Sequence, residues 1–253
     1  MAIVDLLDDN EYDEHVQQLD ERVRQYTGAP GMTPYVKAAG HYPPLLGQMG
    51  SEHLVVMTSD ALRREQKELI AIAVSMVNNC AYCIGAHAHL HQQMFGTTDA
   101  ELVELVGAVS HVSGLNRFEH AVFRDGIDDP RFPAKDPADV PLLADIEEAL
   151  GRLPEYYRVM ANDPDYLEEV WTRERVTLLE GSLDRVDKEL VAWAVSVVND
   201  ADYSTRLREA LLDELGVTDE QLFEALQAIE IFQKNNVYTS GLQLEAGLWA
   251  RDD

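Results

Sequence analysis

Apolar and polar positions along this 253-residue chain follow helical rather than strand spacing. Between Leu62 and Val77, the residues Leu69, Ile70, Ile72, Ala73, Val74, Met76 and Val77 crowd nearly every face, which predicts a helix buried on most sides. Residues 80–95 continue as a second helix and stop at Gly96, a residue suited to the left-handed position after a helix. Asn78-Asn79 separates the two and is predicted to cap the second. Thr98-x-x-Glu101 has the form of a capping box opening a third helix, and Thr218-x-x-Gln221 repeats the device later. No segment joins sustained period-two alternation to turn chemistry, so no sheet is predicted. The fold class is all-α.

The pattern occurs twice. Residues 62–82 read LRREQKELIAIAVSMVNNCAY, and residues 183–203 read LDRVDKELVAWAVSVVNDADY, with twelve of 21 columns identical at a shift of 121. The register runs backward to pair Tyr35 with Tyr156, Pro43 with Pro164 and Leu46 with Leu167. With one deletion it runs forward to pair Thr98 with Thr218 and Asn116 with Asn236. Two tandem copies of a unit of about 120 residues follow. Residues 125–141 hold four prolines and five aspartates and no helical pattern, so they read as a linker. The predicted organisation is an N-terminal helical arm at 1–30, a first repeat at 31–124, the linker at 125–141 and a second repeat at 142–253.

Composition narrows the function. There are 46 acidic against 20 basic residues, a formal charge of -26. Such a surface repels phosphate backbones, so no nucleic-acid partner is expected. It also repels itself, which screening by salt relieves. One reading is adaptation to a high-salt cytoplasm. No run of about eighteen apolar residues occurs, so no membrane span is expected. The first residues, MAIVDLLDDNEYDEH, lack the basic and apolar regions of a signal peptide, and a cytoplasmic location is the expectation.

Both cysteines of the chain fall in Cys80-Ala81-Tyr82-Cys83, with His87 four residues on. On a helix, Cys80, Cys83 and His87 share one face. Glu68 lies roughly 15 Å down the preceding helix and His87 roughly 10 Å along the next. If the helices fold back at Asn78-Asn79, Glu68 comes level with His87, and the order Glu68, His87, Cys83 follows. A carboxylate then orients an imidazole that takes a thiol proton. The helix N-terminus favours Cys80 as the more acidic thiol, whereas the imidazole favours Cys83. The second repeat replaces Cys80 by Ala201, Cys83 by Ser204 and His87 by Arg208 but keeps Glu189 and Tyr203. It cannot do dithiol chemistry, and Glu189 is expected to pair with Arg208.

The pattern Glu68-x11-Cys80-x-x-Cys83-x3-His87 on a helical repeat resembles the AhpD-like alkylhydroperoxidases of the carboxymuconolactone decarboxylase superfamily. The resemblance covers most of both repeats. It implies two tandem AhpD-like helical repeats, the second lacking the redox motif. It implies Cys83 as the peroxidatic thiol, Cys80 as the resolving thiol, and Glu68 with His87 as a proton relay. Where well-known members carry a histidine before the second cysteine, this chain has Tyr82, a hydrogen-bond donor that is no proton shuttle near neutrality. The implied substrate is a hydroperoxide or disulfide, with an external thiol reductant such as a lipoyl or thioredoxin-like carrier. The implied assembly is a homo-oligomer, a trimer of fused pairs.

No cofactor or metal is expected. Cys80, Cys83, His87 and His91 could be drawn as one ligand face, but structural zinc takes ligands from more than one segment. Haem attachment needs histidine directly after the second cysteine, where Ile84 stands. The rival readings are lactone decarboxylation, which needs no cysteine pair, and a non-enzymatic redox- or metal-sensing interaction protein.

Overall fold

The structure, a computed structural model, describes residues 2–8, 11, 14–27, 33–123 and 131–244. Among these the chain is helical without a strand, as the spacing predicts. The helices are α1 (Glu14–Thr27), α2 (Pro34–Ala39), α3 (Pro43–Thr58), α4 (Arg64–Val77), α5 (Ala81–Phe95), α6 (Asp99–Val122), α7 (Pro141–Leu150), α8 (Glu155–Met160), α9 (Pro164–Glu174), α10 (Arg185–Val198), α11 (Asp202–Glu214) and α12 (Asp219–Gly241). A π-helical turn, Arg175–Leu179, extends α9. Residues 125–130 of the predicted linker lie outside the described residues.

Local chemistry sets the boundaries. Proline opens α2, α3, α7 and α9, where its missing N–H costs nothing. Thr33, Asp163 and Asp184 accept from the first backbone amides of α2, α9 and α10. The Thr218–Gln221 capping box is formed at α12. Gly96 ends α5 at φ 71°, a conformation that costs a side-chain-bearing residue. Asn79 turns the chain between α4 and α5 at φ 54°. One detail differs from expectation: the residue that caps α5 is Cys80, whose sulfur accepts from the Cys83 N–H. Asn78 closes α4, as expected.

The described residues form two compact units that interleave the repeats. Unit I draws on Met1–Thr98 and Thr218–Asp253, and unit II on Asp99–Val217. The last helix of each repeat therefore belongs to the unit built from the other. In unit I, α12 packs on α3, α4 and α5; in unit II, α6 packs on α10, α11, α8 and α9.

Polar contacts fix both placements and follow the duplication. In unit I, Asn236 of α12 donates to Ser75 of α4 at 3.0 Å; in unit II, Ser196 of α10 donates to Asn116 of α6. Glu224 of α12 accepts from the backbone N–H groups of Ala61 and Leu62 and pairs with buried Lys67 at 2.8 Å. Glu104 of α6 does the same for Ser182, Leu183 and Lys188. α4 is buried without a break from Gln66 to Ser75, and α10 from Asp187 to Ser196. A helix buried on nearly every side is what the dense spacing predicts for α4.

Candidate active site

The α4–α5 hairpin of unit I carries the sulfur pair and the acid–base pair. Cys80 and Cys83 are free, 2% and 4% exposed, with their sulfurs 2.7 Å apart. Thr239 of α12 places its hydroxyl 3.0 Å from Cys80 Sγ and 3.1 Å from Cys83 Sγ. That hydroxyl also reaches the Asn235 carbonyl at 2.8 Å, so it can donate to the backbone while both sulfurs are thiols and turn to a sulfur that ionises.

The environment separates the two thiols. A hydrogen bond from Cys83 outweighs burial at Cys80 and, with Thr239 and the Cys83 N–H, lowers its thiol to about 5. Cys83 is pushed up, first by that same bond to Cys80 and then by burial. The two shifts run in opposite directions, and Cys80, at the amide end of α5, is the more acidic thiol.

Glu68, 1% exposed on α4, accepts from His87 Nδ1 at 2.8 Å. Its other oxygen takes Arg64 at 2.8–2.9 Å. Burial pushes the Glu68 carboxyl up, but the hydrogen bond and charge of His87 together with Arg64 prevail and hold it at about 2. The carboxylate is therefore fixed as an anion, and the His87 ring is held by it and by an edge-to-face contact with Phe232 at 4.8 Å. The hairpin thus brings Glu68 to His87, and His87 lies one turn after Cys83 on α5.

Tyr82 has a different partner. Its hydroxyl accepts from the Tyr35 N–H at 3.3 Å, at the start of α2. In unit II, Tyr203 does the same for the Glu155 N–H at 2.7 Å, where no sulfur is present. Capping an incoming helix accounts for both tyrosines.

Two residues of the site escape sequence reasoning. Thr239 carries no local signal, since it lies in the other repeat. His53 of α3 faces Phe232 at 6.0 Å and interacts with Glu68 and His87. Burial drives His53 down to about 4, against a smaller opposing pull from Glu68. The repeat register would have found His53, because it pairs with Glu174 of unit II.

Unit II shows what the same positions become without thiols. Arg208 bonds Glu189 at 2.8 Å, the pairing predicted from the substitution, and also reaches Glu174 at 3.4 Å. Glu174 bonds His111 at 2.7 Å, and Arg185 pairs with Glu189. Where Thr239 serves the sulfurs, Glu119 accepts from the N–H groups of Tyr203 and Ser204 at the start of α11. A carboxylate caps that helix terminus where the Cys80 sulfur caps its counterpart. Among the described residues, no cluster of three or more histidine, cysteine or acidic side chains is placed to hold a metal ion, and no helix is long and apolar enough to cross a membrane.

The profile of the carboxymuconolactone decarboxylase family matches residues 48–123 and 164–244, more than half of the chain and one segment in each repeat. The chain belongs to this family. A crystal structure from Burkholderia xenovorans, described as a gamma-carboxymuconolactone decarboxylase subunit, superposes with a TM-score of 0.70. It is 20% identical, over 92% of this chain and 95% of that one. At that identity the likeness speaks for the fold. No curated protein matches the chain. The family's activities are decarboxylation and alkylhydroperoxide reduction, and the residues of unit I bear on the choice between them.

Proposed function

We propose that unit I is a dithiol peroxidase or thiol–disulfide oxidoreductase site of the AhpD-like kind. The observation that carries this reading is the sulfur pair at 2.7 Å in the same hairpin as an ionised Glu68 bonded to His87. Decarboxylation has no use for two adjacent thiols.

In this reading the His87 imidazole takes the Cys83 proton, and the Cys83 sulfur attacks the terminal oxygen of a hydroperoxide. The O–O bond breaks, the alkoxide takes a proton from His87, and Cys83 becomes a sulfenic acid. Cys80 then attacks the Cys83 sulfur; the S–O bond breaks, and the hydroxyl leaves as water with the Cys80 proton. One hydroperoxide is reduced to alcohol and water while the dithiol becomes a disulfide. An external dithiol, of lipoyl or thioredoxin-like type, restores it by exchange. Glu68 keeps His87 oriented and able to carry the proton. Tyr82 supports the hairpin by capping α2. A trimeric assembly belongs to the same proposal.

The test is consumption of an organic hydroperoxide with dithiothreitol as reductant, comparing the wild type with Cys83→Ser. The proposal expects loss of turnover in the variant. Equal rates would remove it and leave decarboxylation or a non-enzymatic sensing role.

A further inference from the structure

Residues 2–8 form an irregular segment of unit I that packs on the buried cluster holding the two cysteines. Its side chains alternate: Ile3 is 63% exposed, whereas Ala2, Val4 and Leu6 pack with Tyr35 and Leu242 onto the buried cluster of Ala38, Cys80, Tyr82, Cys83 and Leu244. Ile3 N–H donates to the Leu242 carbonyl at 3.0 Å, Leu7 N–H to the Lys37 carbonyl at 3.4 Å, and exposed His41 bonds the Asp5 carbonyl through Nε2 at 2.8 Å.

The two sulfurs are almost wholly shielded from solvent. A displacement at sulfur needs the incoming oxygen or sulfur within roughly 3–3.5 Å and in line with the bond that breaks. The closed arrangement does not admit this, so something must move. Helices α4, α5 and α12 hold the pair from within, and moving them would break the buried Ser75–Asn236 hydrogen bond and the Lys67–Glu224 ion pair. The 2–8 segment belongs to no helix, and its contacts can open one at a time without disturbing the core.

From this we infer that residues 2–8 are a removable cover over the dithiol, with Val4 and Leu6 as its plug and the His41–Asp5 hydrogen bond as its latch. They determine access to the sulfurs rather than their reactivity. The inference takes from the proposed function only the premise that these sulfurs react with something from outside.

The test is alkylation of the reduced full-length protein by iodoacetamide, with adducts at Cys80 and Cys83 followed by mass spectrometry. Rates are compared for the folded wild type, the wild type unfolded in guanidinium, the pair Val4→Ala/Leu6→Ala, and His41→Ala. The folded wild type should react at least about a hundredfold more slowly than the unfolded chain, and each variant roughly tenfold faster than the folded wild type. His41 is exposed, so its variant keeps the test valid should the double variant lose its fold. Wild-type rates in the folded variants, or a folded wild type as reactive as the unfolded chain, would overturn the cover. Hydroperoxide turnover is read in parallel. Gated alkylation without turnover would keep the cover and remove the peroxidase; Cys83-dependent turnover with ungated alkylation would do the reverse.

Discussion

His87 bonds Glu68 across 2.8 Å, and nineteen residues likewise separate Arg208 from Glu189, bonded at 2.8 Å in the other unit. The hairpin geometry is one and the same; the side chain facing the carboxylate differs. A histidine can give its proton away and an arginine cannot. One unit thus keeps a transferable proton beside its carboxylate, and the other keeps a permanent ion pair.

The first prediction concerns Glu68→Gln. The amide retains the shape but removes the charge that His87 and Arg64 share. Turnover with hydroperoxide should fall roughly a hundredfold, while Cys80 and Cys83 still form a disulfide with a chemical oxidant. Steady-state kinetics and a thiol count check both halves.

The second concerns Thr239. Thr239→Val keeps the volume and removes the hydroxyl that both sulfurs touch. The Cys80 thiol, now lowered to about 5, should move up toward its ordinary range. Cys83→Ala should move it further, because the Cys83 bond is the larger cause. Thiolate absorbance against pH in each variant measures the order of the two effects.

A third follows from acid titration. Glu68 and Glu174 are held at about 2 against 4.5 in the open chain. The unfolded state therefore binds the proton more tightly, and their contribution is complete above pH 4.5 and drains as pH falls toward 2. His53, at about 4 against 6.5, favours its neutral form when folded; its contribution is complete above pH 6.5 and is lost on descent to 4. Stability set by these groups should begin to fall below pH 6.5 and steepen below 4.5. Denaturant melts across this range should show His53→Gln lacking the upper limb.

A fourth concerns unit II. Arg208→Met leaves Glu189 and Glu174 buried with their central cation gone. The cost should be about 3–5 kcal/mol, visible in denaturant unfolding. The sulfurs keep Thr239 and each other as partners in this variant, so the Cys80 thiolate should titrate as in the wild type.

A fifth rests on net charge. With 46 acidic residues against 20 basic ones, molar KCl should raise the melting temperature by screening self-repulsion. Thermal scans in low and high salt check it, and an unchanged midpoint would remove the high-salt reading.

Much of this is legible in the chain. The dense apolar run before Asn78 marks the buried α4, and the thiol spacing together with Glu68 and His87 marks the hairpin, because hairpin contacts are local and periodicity reports them. Thr239 is not legible. It meets Cys80 from 159 residues away, and nothing in either repeat's periodicity says that the last helices are exchanged. His53 is hidden for a milder reason: a lone histidine on a helix is uninformative until its counterpart, Glu174, is seen inside a charged network. The covering role of residues 2–8 leaves no trace in the pattern, because a seven-residue irregular stretch has no period to detect.

The exchange of α6 and α12 bears on synthesis. The helix that closes the core of unit I, α12, is made after the rest of that unit and after all of unit II. Unit II is contiguous and can consolidate before α12 is made, whereas the thiol-bearing half must wait, open, until α12 follows it. Severing the polypeptide within 125–141 would therefore yield two fragments, each missing a helix that the other holds, and activity should return only on mixing them.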